Sequence, residues 1–423
     1  MELQSIIMYT SSELNRKIMG IQSQQHSRIS VDEIEVGMEL QDVFNANGKL
    51  LLSSLKITDP EQIESLKHQG VQFAYIAPSA ESTAVPPAPA ASAPDEEQLQ
   101  QRERAYYKEL TKAKEVHQAT LEAARNTLHD VRFGKPVGIE AITLAAEDMV
   151  SSIMRNPDAL VSLAQIKGYD EYTYVHSVNV GILITSLVHS MNYSEEQLLE
   201  AGVGGLLHDI GKMRVPEHIL NKPGKYTPEE FSIMKRHPEN GLTILKNAHA
   251  ISDFSRLVII EHHERFNGKG YPKGLHESTI HEIGLIAAVS DVYDAMTTDR
   301  IYRPAWTPQR TLAMIFQGCD IEYSRRIVEL FTKNLGIYPV GSFVRLATRE
   351  MGVVIRVDKG SILTPDVLIL FDEKSERLEK PKEYNLLELQ KSENGDRYRI
   401  EISLNPNDFN VRISDFISAN PFY

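Results

Sequence analysis

Residues 204–212 read GGLLHDIGK, and the fold turns on how this stretch is used. An apolar, glycine-bearing run delivers His208 and Asp209 side by side, with Lys212 shortly after. Alone, a His-Asp pair is a weak signal. A single histidine beside apolar residues is more often a satisfied core group than a ligand. Its company changes the reading. Ten of the fourteen histidines fall between His176 and His281. His176 lies in YTYVHSVNV, His237 in MKRHPENG, His262 and His263 in EHHERFNGKGYP, and Asp291 in AAVSDVYDAM. Neighbouring residues on a helix point about 100° apart, so an adjacent histidine pair rarely suits a core. Successive groups stand about 25–35 residues apart, the length of a helix pair with its loop. A helical bundle can aim all of them at one interior point.

The chemistry that wants such a set is two-metal hydrolysis. Two divalent ions about 3.5–4 Å apart can share a carboxylate, lower the pKa of water and neutralise phosphate charge during in-line attack. Imidazole with carboxylate suits iron, manganese or zinc and fits magnesium and calcium poorly. With no cysteine ligand among these groups, a structural zinc site is disfavoured. Lys212, four residues after His208, would lie on the same helix face, where a cation could contact the scissile phosphate or protonate the leaving oxygen. Arg300 and Arg303, in TTDRIYRPA, could hold a second phosphate, with surface salt bridges as the competing reading. The stretch Asn267-Gly268-Lys269-Gly270-Tyr271-Pro272 is turn chemistry. It is either an ordinary connection, or a lip or partner-recognition loop using Gly268, Gly270 and Tyr271; composition does not choose. His189, His218, His249, His276 and His281 lack a paired carboxylate and read as surface, capping or packing residues.

The 423 residues allow two to four domains, with 42% hydrophobic and 24% charged residues as in ordinary globular chains. A net charge of −13 gives no general attraction for polyphosphate, which disfavours non-specific nucleic-acid binding. No apolar run approaches the roughly 18–20 residues of a membrane helix, and the start lacks the form of a signal peptide. Cys319 is the single cysteine, so no internal disulfide framework exists. A cytoplasmic protein is expected.

Five segments follow from the changes of pattern. Residues 1–78 hold a small α+β module, with strands at Leu50–Leu52 and Val71–Ile76. Between those strands, Asp59-Pro60 opens a helix that Gly70 closes. Residues 79–96 are a Pro/Ala/Ser-rich linker. Residues 97–136 form a linker helix whose thin apolar stripe (Leu99, Tyr106, Leu110, Ala113, Val116) serves either a homodimer or its own chain. Residues 137–336 are the helical bundle with every motif above; in it Thr227, Pro228 and Glu230 spell a capping box. Residues 337–423 are a β-rich extension, with 342–347, 352–358 and 366–371 as strands. There 397–404 alternates strictly and places Tyr398, Ile400, Ile402 and Leu404 on one face.

In these motifs the chain resembles the HD-GYP domain, a branch of the HD metal-dependent phosphohydrolases. The likeness runs through HSVNV, HDIGK, HPENG, HHERFNGKGYP and SDVYDAMTTDRIYR, over roughly residues 140–334. It implies a mainly α protein, with an HD-type helical bundle as catalytic domain. The implied activity is hydrolysis of cyclic di-GMP to pGpG or onward to GMP, with iron or manganese as the metal. One ion would sit on His176, His208, Asp209 and Asp291, and the other on Asp209, His237, His262 and His263. The resemblance further implies a phosphate or acid role for Lys212, substrate contacts for Arg300, and diguanylate cyclase domains as partners of the GYP loop. Two departures stand out. Asn267 replaces the family's usual aspartate, which leaves the turn geometry available. Tyr172 occupies the place, four residues before His176, where some members carry a glutamate for a third metal, so two ions are expected. Residues similar to a small module of unknown function that precedes such domains lie in IEVGM and DPEQIESLKHQGVQFAYI. The alternatives are hydrolysis of another cyclic dinucleotide such as 3',3'-cyclic GMP-AMP, and a sensor or adaptor that binds nucleotide or cyclase without hydrolysis.

Overall fold

Four antiparallel strands in the order β1-β4-β2-β3 build the first module: β1 (Ser27–Ser30), β2 (Glu39–Asn45), β3 (Leu50–Lys56) and β4 (Val71–Ile76). The computed structural model describes residues 27–45, 50–76, 96–165, 172–247, 251–299, 305–358, 361–392 and 395–417. Helix α1 (Pro60–His68) starts as expected. Asp59 Oδ1 accepts from Gln62 N at 3.0 Å, and Gly70, at φ +75°, turns the chain into β4. Leu40, Val43, Ile57, Leu66 and Ala74 close its core. β1 and β2 were not expected, because SRIS and ELQDVFN lack a clean apolar alternation. Of the Pro/Ala/Ser linker, all but Glu96 lies outside the described residues.

Helix α2 (Glu96–Arg132) occupies most of the segment expected as a linker helix. Leu110, Ala113, Ala124 and Leu128 are buried in the same core as the helices that follow. Arg132 Nη1 donates to the carbonyls of Met213 at 3.1 Å and Val215 at 2.9 Å. The stripe is an imperfect heptad because, from Leu110 on, it faces a globular core.

The bundle continues with α3 (Ile139–Arg155), α4 (Pro157–Gln165), α5 (Tyr172–Ser190), α6 (Glu195–Leu207), α7 (Glu217–Leu220), α8 (Pro228–Met234), α9 (His237–Ile244), α10 (Asp253–Glu261), α11 (Glu282–Thr297), α12 (Pro308–Gln317) and α13 (Arg325–Leu335). Nearly every residue of α11 is buried, and Val178, Val180, Ile182 and Ile184 of α5 are sealed. Helices apolar all round belong in the middle of a bundle. At the start of α11 the buried Glu282 accepts from Tyr193 and Arg326, which ties it to α13. The capping box of α8 forms, with Glu230 N donating to Thr227 Oγ1 at 3.3 Å and Thr227 N to Glu230 Oε2 at 2.7 Å.

The extension is an antiparallel sheet, β8-β7-β6-β5-β9, of β5 (Phe343–Leu346), β6 (Met351–Arg356), β7 (Asp366–Phe371), β8 (Arg377–Asn385) and β9 (Ile400–Leu404). Val344, Leu346, Val354, Val367, Ile369 and Ile400 join the bundle core, and Phe343, Met351, Val353 and Phe371 form a second core with Val411 and Ile417. Helices α14 (Leu386–Gln390) and α15 (Ser414–Ile417) complete it. Two readings change. β8 is a polar edge strand with little pattern to find. The alternation over 397–404 does not describe one strand, since Gly395–Tyr398 is a 3₁₀ turn. A register slip then sets Ile402 opposite Arg345 but Ile400 opposite Leu346, so Ser403 is buried while Ile402 is 39% exposed.

Candidate metal centre

The residues that converge come mostly from helix ends. Helix α6 stops at Leu207, His208 caps it, and Asp209 leads into a 3₁₀ turn, Ile210–Arg214. His237 opens α9, His262 caps α10 with His263 next, and His176 lies in the first turns of α5. Asp291 alone comes from mid-helix, in α11.

Asp209 is at the middle. Its Oδ1 lies 3.3 Å from His237 Nε2 and 3.8 Å from His262 Nε2, while its Oδ2 lies 3.4 Å from His208 Nε2 and 3.7 Å from His176 Nε2. Asp291 spans the other side, Oδ1 at 3.1 Å from His176 Nε2 and Oδ2 at 3.6 Å from His263 Nδ1. Donor atoms of Asp209, His237, His262 and His263 form one set within a cation's reach, and those of His176, His208 and Asp209 a second.

Three of the histidines are oriented by one device. The Nδ1 atoms of His208, His237 and His262 sit 2.7, 2.8 and 2.9 Å from the carbonyls of Gly205, Met234 and Ile259, each three residues earlier. A carbonyl can only accept, so each Nδ1 carries the proton and each Nε2 turns a bare lone pair inward. Consequently His237 Nε2 and His262 Nε2 face each other 3.1 Å apart, two acceptors with no donor between them. His208 Nε2 and Asp209 Oδ1 are buried without a hydrogen bond. Buried polar atoms left in this state call for a cation, and the donor set fits a divalent transition metal.

Charge is arranged to match. Burial opposes ionisation of Asp209, yet the Lys212 ammonium beside it holds its carboxyl well below the usual range. Burial keeps His262 and His263 neutral. His176 differs: against the cost of burial, its hydrogen bonds to Asp291 and Asp294 push it up to about 9.

Asp294 was not singled out in the sequence. Its Oδ2 lies 2.7 Å from His176 Nδ1, and its Oδ1 accepts from Asn179 Nδ2 at 3.0 Å. The signal was present in SDVYDAM, where Asp294 follows Asp291 by three residues and so shares its helix face. Asp294→Asn should lower metal affinity or turnover by about 10–100-fold, the usual cost of losing an orienting carboxylate. Metal titration and kinetics check this, and a variant equal to wild type in both would show that His176 needs no such partner.

Lys212 departs from expectation. The chain tightens to three residues per turn after Asp209, so Lys212 stands over Asp209, not one α-turn beyond His208. Its Nζ is 2.5 Å from Asp209 Oδ2, and its side chain is 22% exposed. The neighbouring Gly211 lets this turn lie against α9: a Cβ there would meet the His237 carbonyl oxygen at 1.8 Å.

The 267–275 loop is pinned from inside by Glu264, another buried carboxylate that was not anticipated. Its Oε1 accepts from Lys273 N at 2.8 Å and its Oε2 from Leu275 N at 2.9 Å. Asn267 Oδ1 accepts from Lys269 N at 3.0 Å, so asparagine makes the turn. Gly268 takes φ +73° and Gly270 lies against the Glu264–Arg265 backbone, both backbone roles. Tyr271 reaches the centre, its ring centroid 4.5 Å from that of His263. His281 caps α11 and binds Glu261 through Nδ1 at 2.8 Å. Arg300 and Arg303 lie outside the described residues.

A helical bundle that brings five histidines and two aspartates to one buried point is a candidate histidine–aspartate metal centre. Residues 150–324 match the family described as HD domain. Residues 26–142 match a domain of unknown function, DUF3391. Over 267 residues the chain is 38% identical to the cyclic di-GMP phosphodiesterase PA4108 of Pseudomonas aeruginosa, covering 62% of this chain and 64% of that protein. It is 39% identical over 165 residues to a cyclic di-GMP phosphodiesterase of Thermotoga maritima, 39% of this chain and 45% of that one. A 3'3'-cGAMP-specific phosphodiesterase 2 of Vibrio cholerae is 30% identical over 163 residues, 38% of this chain and 31% of its own length. Among the described residues, no helix is long and apolar enough to cross a membrane.

Proposed function

We propose that the chain is a metal-dependent phosphodiesterase that opens a cyclic dinucleotide, cyclic di-GMP first, by attack of water on a phosphodiester bond. The observation that carries this reading is Asp209, whose two carboxylate oxygens face two different pairs of imidazole nitrogens. The residues proposed to hold one ion are His176, His208, Asp209 and Asp291, and the other Asp209, His237, His262 and His263. Divalent cations bound there, iron, manganese or zinc by the donor set and iron or manganese by the resemblance, would supply Lewis acidity toward water and phosphate. The protein's part is orientation and charge. Backbone carbonyls and Asp294 lock the imidazoles, so no reorganisation is needed when substrate arrives. Lys212, the partly exposed cation beside Asp209, would meet a phosphate oxygen and give a proton to the departing ribose oxygen. The named activity of the Pseudomonas and Thermotoga relatives supports cyclic di-GMP.

A second substrate, 3'3'-cGAMP, is favoured by the likeness to the Vibrio protein. The ligand set reads phosphate and leaves the base to other residues. Protein purified without oxygen and loaded with iron or manganese should yield pGpG or GMP from cyclic di-GMP. A chelator should suppress this more than about 100-fold, reversibly, because the centre is the source of the Lewis acid. Chromatography over cyclic di-GMP, 3'3'-cGAMP and a cyclic mononucleotide ranks the substrates. Metal-replete protein that binds a cyclic dinucleotide and releases no linear product would make it a sensor instead.

A further inference from the structure

An aromatic row leads outward from the candidate centre. His263 and Tyr271 lie 4.5 Å apart between centroids, and Tyr271 meets Phe231 edge-on at 6.3 Å and 82°. Phe231 sits on α8, whose buried Met234 packs with Val215 and Ile219. Phe231 is 44% exposed. One turn on, Lys235 holds its Nζ 5.2 Å from that ring's centroid. A lone exposed aromatic is ordinary. This one is continuous with the rim of a catalytic centre and carries a cation beside it.

Nucleobases recognise such a surface. Every base has a π-face that stacks on an aromatic ring, and a nearby lysine meets the backbone phosphate. One ring, Tyr271, separates Phe231 from His263, so Phe231 lies within the span of a nucleotide whose phosphate sits at the centre. We infer that Phe231 is the stacking platform for a purine of the cyclic dinucleotide, with Lys235 facing its second phosphate. This rests on the phosphodiesterase reading above.

The test is steady-state kinetics of metal-loaded full chain on cyclic di-GMP. Phe231→Ala should raise KM about tenfold with kcat within about twofold, the size expected for one lost base–aromatic stack. Phe231→Trp should restore a KM at or below the wild-type value, since the larger ring stacks at least as well. An unaltered KM in Phe231→Ala, a fall in kcat with KM unaltered, or a Phe231→Trp protein as impaired as Phe231→Ala would overturn the assignment while leaving the activity standing. Wild-type protein that neither binds nor cleaves any cyclic dinucleotide would remove the activity and this platform together.

Discussion

Asp209→Asn is expected to lower turnover of cyclic di-GMP by well over 100-fold and to leave the fold intact. Outer partners of a metal ligand already cost about 10–100-fold when lost, and Asp209 is the one residue common to both donor sets. Asparagine keeps the shape but replaces one acceptor oxygen with an NH2 group. That group would point either at His237 and His262 or at His208 and His176, and a side-chain amide nitrogen offers no lone pair to a cation. Metal content should fall with activity, while far-UV circular dichroism stays that of wild type. A folded variant with turnover near wild type would remove the shared carboxylate from the mechanism.

Gly211→Ala should cost stability and activity together. The added Cβ would lie 1.8 Å from the His237 carbonyl oxygen and 2.5 Å from Gly241 N, both backbone atoms that no rotamer can move aside. Overpacking a well-filled interior costs about 1–3 kcal/mol, and contact with backbone puts this site at the upper end, ~3 kcal/mol. Relief requires α9 to retreat, which carries His237 away from Asp209. The urea midpoint should drop with an unchanged slope, and hydrolysis should fall even where the variant is fully folded. Gly241→Ala is the milder control, since its nearest contact is a side-chain carbon, Ile259 Cγ2, at 3.0 Å. An unchanged midpoint in Gly211→Ala would contradict the close packing of the 3₁₀ turn on α9.

The residues that converge on Asp209 stand out in the sequence because two of their groups are uncommon adjacent pairs, His208-Asp209 and His262-His263. The carboxylates that orient them are harder to see. Asp294 and Glu264 are single acids in apolar or charged surroundings, and nothing in composition separates a buried acid from a solvated one. Lys212 shows a second limit: spacing gives a face only if the helix type is known, and the change from α to 3₁₀ after Asp209 leaves no mark in the letters. The helix Glu96–Arg132 and the strand Ile400–Leu404 show a third. An apolar stripe does not say whether its partner is a second copy or the same chain. One inserted residue in a ladder turns a clean alternation inside out.

The most direct test of the central claim is anomalous diffraction at the metal edge, from crystals grown with iron or manganese. Two peaks are expected, one on each side of the Asp209 carboxylate, the first near His176 and His208 and the second near His237 and His262. A single peak, a third peak, or metal bound away from Asp209 would contradict that claim.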